Sequence, residues 1–201
     1  MLLHSTVSYR SRIVPPGQCS EPATHLISPD ALALVRFGPL APDDPRILNT
    51  LKVIDALPRV KLPQGFCWYR YNGDGYGEQE DGSPFEGFGI GRPWPLLARE
   101  CAHYELAAGH KGVALDLLEV MEFSTEGGRL LPEQAWDSAD LPERELFTGK
   151  PSGSACPLVW AHSEYIKLRH SLRERRIFDQ PPQARQRYLI EKKRSLISRG
   201  D

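Results

Sequence analysis

The chain is short of several things, and each shortage closes a line of interpretation. Only four of its 201 residues are cysteine (Cys19, Cys67, Cys101 and Cys156), and no two of them form a CxxC pair. That pattern predicts reduced, mostly buried thiols and a cytoplasmic location. Cys101 and His103 stand too close together to be half of a usual zinc site, so neither a metal nor a cofactor is expected. No stretch approaches the roughly 18 apolar residues of a membrane span. The opening MLLHSTVSYRSRIV lacks the charged region and long apolar run of a secretory signal. Charge of one sign is lacking as well: 25 Lys and Arg against 26 Asp and Glu leave a net charge of −1. The molecule as a whole therefore has no strong field to draw nucleic acid or a membrane. Basic residues do predominate from Lys167 to Asp201, but only Phe178 and Tyr188 interleave them, which reads as a solvated basic helix rather than a nucleic-acid surface. The nucleophile elbow GxSxG, the phosphate loop GxxxxGK[ST] and the zinc helix HExxH are all missing. The GxG of GFGIGRPWPL follows no strand and has the wrong spacing for a dinucleotide. No convincing alternation of period two appears.

What is present is ordinary for a soluble domain with a real core: 40% hydrophobic and 25% charged residues. Residues 1–27, with Pro15, Pro16 and Pro22, read as a poorly ordered lead-in. In SPDALALVRFG, Ser28 can cap a helix, Pro29 fits its first position and Gly38 its stop. DDPRILNTLKVIDALP repeats that logic, with Asp44 as cap, Ile47, Leu51 and Ile54 on one face, and Pro58 as terminator. Lys61–Arg92 reads as a long irregular segment, too aromatic to be disordered. Helices resume in WPLLARECAHYELAAG, with Leu97, Cys101 and Tyr104 together, and in KGVALDLLEVMEFS, with Val113, Leu117, Val120 and Met121 together. Thr125–Gly153 is again irregular. A last strong helix starts near Ser154, capped by Ser152 or Ser154, with Leu158, Ala161, Tyr165, Leu168 and Leu172 inward. One further short helix is expected in DQPPQARQRYLIEKKRS. Helix pairs joined by long aromatic loops make an all-α layout whose function sits on loops.

All four tryptophans, Trp68, Trp94, Trp136 and Trp160, lie in or beside the irregular stretches, among Arg70, Asn72, Asp74, Glu133, Gln134 and His162. Flat aromatic faces beside hydrogen-bonding groups suit a sugar, with its apolar C–H faces and rim of hydroxyls. The same aromatics would equally serve to fill a core. Glu133, in GRLLPEQAWD, is ambiguous in the same way: a catalytic carboxylate or a solvated loop charge.

The blocks FCWYRYNGDGYGE, GFGIGRPWPLLARECAHYELAAG, LLPEQAWD, LPERELFTGKPSGSACPLVWAHSEYIKL and IFDQPPQ, in this order and spacing, resemble bacterial glucoamylases of glycoside hydrolase family 15. The resemblance runs from about Ser28 to about Ser195. It implies an α/α toroid whose loops at one end form the pocket, and exo-hydrolysis of α-1,4-glucosidic bonds with inversion, on an α-glucan or oligosaccharide. It also implies that Glu133, in the PEQ motif, is the general base and that Arg70 holds sugar hydroxyls, as the fixed donor fan of a guanidinium suits. Trp68, Tyr69 and Trp94 are implied pocket walls, and Trp136 either shields the base or packs.

The family's general acid lies on an earlier loop of the toroid, and no counterpart is found here. The expectation is therefore a partial toroid: a lead-in (1–27), the C-terminal part of the catalytic domain (28–180) and a basic tail (181–201). Such a piece would have little activity alone and would partner the missing N-terminal half. If it were active, Asp74, Glu78 and Glu86 would be the first substitute acids to test. Alternatives are a non-catalytic carbohydrate-binding or remnant fragment, or a relative acting on trehalose or α-1,6-linked dextran.

Overall fold

The caps anticipated from sequence set the first helices in the computed structural model, which describes residues 6–8, 20–125 and 129–191. Cys19, most of the lead-in and the basic tail beyond Glu191 lie outside those residues. Within the lead-in, β1 (Thr6–Ser8) pairs antiparallel with β2 (Ser20–Pro22). Ser28 accepts a hydrogen bond from the Asp30 N–H at 3.2 Å, and a single 3-10 turn over Pro29–Leu32 runs into α1 (Ala33–Arg36). Gly38 ends it at φ +89°, a left-handed conformation that glycine adopts without a Cβ penalty. Asp44 caps α2 (Pro45–Ala56) by accepting from the Arg46 N–H, and Ile47 and Ile54 are buried beneath it.

Pro58 turns the chain into a hairpin that the sequence reading did not anticipate. Strand β3 (Arg59–Leu62) pairs antiparallel with β4 (Gly65–Trp68) in the register Arg59 to Trp68 and Leu62 to Gly65. RVKL does alternate, with Val60 and Leu62 turned inward between exposed Arg59 and Lys61. Four residues are too few for that period to stand out. The hairpin matters because it delivers Trp68, Tyr69 and Arg70 to one end of the helices.

The core is built on α3 (Pro95–Ala107), which is buried on nearly every side. It packs against α1, β4, α4 (Lys111–Phe123) and α5 (Val159–Glu174). On α4 the inward residues are Ala114, Leu117, Leu118, Val120 and Met121, whereas Val113, expected inside, is exposed. The rest of the expected stripe, Leu117, Val120 and Met121, is buried as read, and Ala114 takes the place of Val113. On α5, Ala161, Leu168 and Leu172 are buried, with Leu158 and Tyr165 partly so. Neither Ser152 nor Ser154 caps α5: Leu158 occupies the cap position without a side-chain bond, and the two serines are used in the preceding loop. The last of the described residues form α6 (Pro182–Ala184), continued by a π-helical turn to Glu191.

A helix buried all round is normally apolar, yet α3 buries Arg99, Glu100 and His103. Buried charges persist only when paired. Arg36 of α1 forms a two-point ion pair with Asp179 and reaches Glu100 at 3.2 Å and Glu164 at 2.9 Å. Arg99 binds Glu100 and Glu164, and Lys167 closes on Glu164 at 2.8 Å. Three cations face three acidic side chains, of which Glu100 is pushed up to a pKa of about 7 by its burial. Gln180 adds bonds to the Val35 and Arg36 carbonyls. The DQ of IFDQPPQ thus ties the end of the chain to its first helix.

Candidate active site

The stretch carrying Glu133 belongs to no helix or long sheet, so each of its backbone donors needs a partner elsewhere. The N–H of Glu133 donates to the Ala155 carbonyl at 2.8 Å and that of Gln134 to Ser154 Oγ at 3.0 Å. Ala135 donates to the Pro93 carbonyl at 2.9 Å and Trp136 to that of Lys150 at 2.8 Å. Gln134, itself buried, fastens the loop further: its Oε1 accepts from the Arg92 N–H at 2.7 Å and its Nε2 donates to the Tyr76 carbonyl at 2.9 Å. The backbone under Glu133 is pinned on both sides while its side chain stays half-buried.

That side chain lines a cavity of about 340 Å³, together with Tyr76, Glu78, Phe85, Gly153 and Ala155. The size is within the range of small-molecule sites. Burial raises the Glu133 carboxyl above its usual range; an Ala155 backbone hydrogen bond and the charge of Arg70 pull it down, and the charge of Glu78 pushes it up.

Arg70 leaves the hairpin and binds Asp74 through Nε at 2.7 Å and Nη2 at 2.8 Å. Asp74 is wholly buried and also accepts from the Tyr76 N–H at 3.0 Å. The Arg70 guanidinium lies 4.8 Å from the centre of the Tyr76 ring and 5.1 Å from that of Trp94. Tyr76, which no sequence motif singled out, is the hub: Phe85 meets it edge-on at 5.1 Å and Trp94 lies at 6.3 Å. Its position six residues beyond Arg70 was visible, but its role depends on a fold-back through residues 77–90.

The structure therefore brings Glu133, Arg70 and Trp94 around Tyr76. Trp68 sits behind them, buried, its carbonyl accepting from the Trp94 N–H at 2.8 Å. Tyr69 turns aside and donates its hydroxyl to Asp137. Trp136 resolves as packing: it is fully buried, its indole N–H donates to the Ala139 carbonyl at 2.8 Å, and the Arg92 guanidinium covers its ring at 3.9 Å. Of the substitute acids, Asp74 is committed to Arg70 and Glu86 is exposed outside the cavity; Glu78 alone shares the cavity with Glu133.

Arg92 was missed entirely. It is buried, with Nη1 bound to Asp137 at 2.8 Å and to Ser138 at 2.7 Å, and Nη2 to the Gln79 carbonyl at 3.2 Å. It joins the two irregular segments that form the site. Larger clefts of about 610 and 740 Å³ lie elsewhere, and neither includes Glu133 or Arg70. Among the described residues, no group of three or more His, Cys, Asp or Glu could hold a metal ion, and no helix is long and apolar enough to cross a membrane.

No family model matches the chain. A glucoamylase of Clostridium sp. (strain G0005) is 45% identical over 167 residues, covering 83% of this chain and 22% of that protein. The crystal structure of a bacterial glucoamylase complexed with acarbose superposes with a TM-score of 0.79 at 39% identity, over 92% of this chain and 25% of that one. A wild-type glycosidase structure superposes at 0.53 and 23% identity, over 75% of this chain and 37% of that one, which speaks to the fold alone. The chain thus spans about a quarter of the length of the glucoamylases it matches. Its helices form an arc of an α/α toroid, all-α apart from small two-stranded pairings.

Proposed function

The chain belongs to the bacterial glucoamylase family, and from that premise we propose that it supplies the general-base side of an inverting exo-α-1,4-glucosidase. Glu133 takes the proton of the attacking water. Inversion requires a second carboxyl on the opposite side of the bond, roughly 6.5–9.5 Å away, to protonate the leaving oxygen. We assign that acid to a part of the protein outside these residues. A base must be ionised to act and gains strength as its pKa rises. Burial raises the Glu133 carboxyl while Arg70 favours its charged form, which suits both demands. Arg70 is held side-on by Asp74 through Nε and Nη2, which leaves Nη1 to donate to a sugar hydroxyl. Tyr76 and Phe85, which line the cavity, provide the flat wall, and the buried Trp94 backs Tyr76.

The catalytic arc spans residues 28–180, with 181–201 as a peripheral tail. Val159, Trp160 and Ile166 leave an exposed apolar face on α5, which we assign to contact with the remainder of the ring. Cys67 and Cys101 are buried free thiols, which suits the cytoplasmic location we propose.

The observation that carries the reading is a pinned, half-buried carboxylate sharing its cavity wall with Tyr76 and feeling the charge of Arg70, within a glucoamylase-like sequence. The test is to co-express the chain with the amino-terminal part of a bacterial glucoamylase and assay glucose release from maltooligosaccharides. Glu133→Gln should cost roughly 10²–10⁴-fold in rate, the range for losing an acid–base group, and should leave acarbose binding intact. The chain alone should bind acarbose and release little glucose. Turnover surviving Glu133→Gln would remove Glu133 from the role of base.

A further inference from the structure

The buried charges of the site loops do not all cancel, and the remainder points to a second functional carboxylate. Arg70 is taken by Asp74 and Arg92 by Asp137. Two more carboxylates, Glu133 and Glu78, line the same cavity; neither is hydrogen-bonded to an arginine among the described residues, and the ion pair that Glu78 makes with Arg92 is a loose one. Glu78 is only 5% exposed, and its Oε2 has no hydrogen-bond partner among the described residues. The nearest cation atom, Arg92 Nε, is 3.8 Å away, beyond hydrogen-bond reach, and is also unpartnered. A buried acceptor without a partner is costly, and such groups mark places where a ligand or bound water completes the structure.

The backbone around Glu78 is shaped to keep it there. A Cβ at Gly77 would run into the Ile90 carbonyl oxygen, and one at Gly89 into that of Gly77, so the two strands of this loop cross at glycine-only distance. The Ile90 N–H donates to the Glu78 carbonyl at 2.9 Å and locks the crossing. On the cavity side, a Cβ at Gly153 would come within 3.1 Å of Glu78 Oε1. Glycine there leaves the carboxylate room to meet something other than protein.

We propose that Glu78 is a substrate-positioning residue, whose carboxylate accepts a hydrogen bond from one hydroxyl of the sugar bound beside Glu133. Phe85 and Tyr76, on the same cavity wall, cover the sugar's apolar face, and the carboxylate fixes its rotation about that face. The ligand class is a neutral, polyhydroxylated ring, whose hydroxyls can donate to an anionic acceptor. The inference rests on the sugar-site reading of the Glu133 cavity and adds to it the residue that sets the ring's orientation.

The test uses the full chain, with maltose and its monodeoxy analogues as titrants in calorimetry. Glu78→Met removes the acceptor at nearly constant volume and should weaken maltose binding about tenfold or more, as expected for a bond to a charged group. Glu78→Gln, which retains a carbonyl acceptor, should recover part of the loss. One monodeoxy analogue should bind the wild type more weakly than maltose does yet bind Glu78→Met no worse than maltose does, because the bond it lacks is already gone. A purely structural Glu78, paired with Arg92, would weaken all analogues by the same factor, and that result overturns the inference while leaving the sugar site standing. Unchanged maltose affinity in Glu78→Met overturns it likewise. A wild-type chain that binds no sugar overturns both.

Discussion

Acidification should separate two buried groups on α3 that act on stability in opposite senses. His103 has no solvent exposure; its Nδ1 lies 2.9 Å from the Arg99 carbonyl and its Nε2 lies 3.2 Å from Ser171 Oγ. Burial, reinforced by the charge of Arg36, pushes its pKa from 6.5 down to about 3. Glu100 is pushed the other way, from 4.5 up to about 7, because burial outweighs the pull of Arg36. A histidine that is neutral when folded takes up a proton on unfolding anywhere between pH 3 and 6.5. Its contribution is intact above 6.5 and lost as the pH falls toward 3. A carboxyl that is protonated when folded releases a proton on unfolding between pH 4.5 and 7, so its contribution is intact below 4.5 and lost as the pH rises to 7. Each effect is worth about 1.4 kcal/mol per pH unit inside its window.

The two windows overlap from pH 4.5 to 6.5, and there the contributions cancel in the wild type. His103→Gln removes one of them. Over those two pH units the variant should gain about 2.7 kcal/mol relative to wild type as the solution is acidified, and Glu100→Gln should lose a comparable amount. Urea unfolding at pH 4.5, 5.5 and 6.5 measures this as a change of slope. The intercept will also move, because His103→Gln alters contacts with Arg99 and Ser171, but a lost contact shifts the whole curve without tilting it. Parallel curves for wild type and His103→Gln would show that His103 is not held neutral by its surroundings.

The site itself yields two further expectations. Arg70→Ala strands the buried Asp74 carboxylate and should cost about 3 kcal/mol in urea unfolding, near the lower end for a broken buried pair because Arg70 is one-third open to solvent; Arg70→Lys should restore most of the stability but not the affinity for acarbose, since a point charge lacks the fork, and full recovery of affinity would refute the positioning role. Gln134→Ala removes the acceptor of the buried Arg92 N–H and a donor to the Tyr76 carbonyl and should cost about 2–4 kcal/mol; a loss below about 0.5 kcal/mol, the range of ordinary surface changes, would mean that Gln134 does not pin the loop.

How far the sequence could be read follows from how far each signal travels along the chain. Helix starts were legible because Ser28 with Pro29 and Asp44 with Pro45 act on their own first turn. The hairpin was not, because four residues leave too little alternation to detect. On α3 the stripe Leu97, Cys101 and Tyr104 was read correctly as inward, but periodicity reports only one helix's own pattern. It could not show that Arg99, Glu100 and His103 are also inside, since the partners that permit it stand on Arg36, Glu164, Ser171 and Asp179. Glu133 poses the same problem more sharply. Its loop is fixed by Gln134 contacts spanning 42 and 58 residues, and its cavity is closed by a fold-back at Gly77 and Gly89. Only the run of family-like blocks in register suggested a role for it. The blocks in turn could not distinguish Trp136, which packs, from Trp94, which faces Arg70, because both are tryptophans in equally strong motifs. Nor could they sort the acids. Asp74, Asp137, Glu78 and Glu133 are alike in sequence, and the difference lies in which of them an arginine already occupies. Two are spoken for by Arg70 and Arg92. The two that no arginine hydrogen-bonds share one cavity, Glu78 with Arg92 no nearer than 3.8 Å, and the chemistry of the segment is to be sought between them.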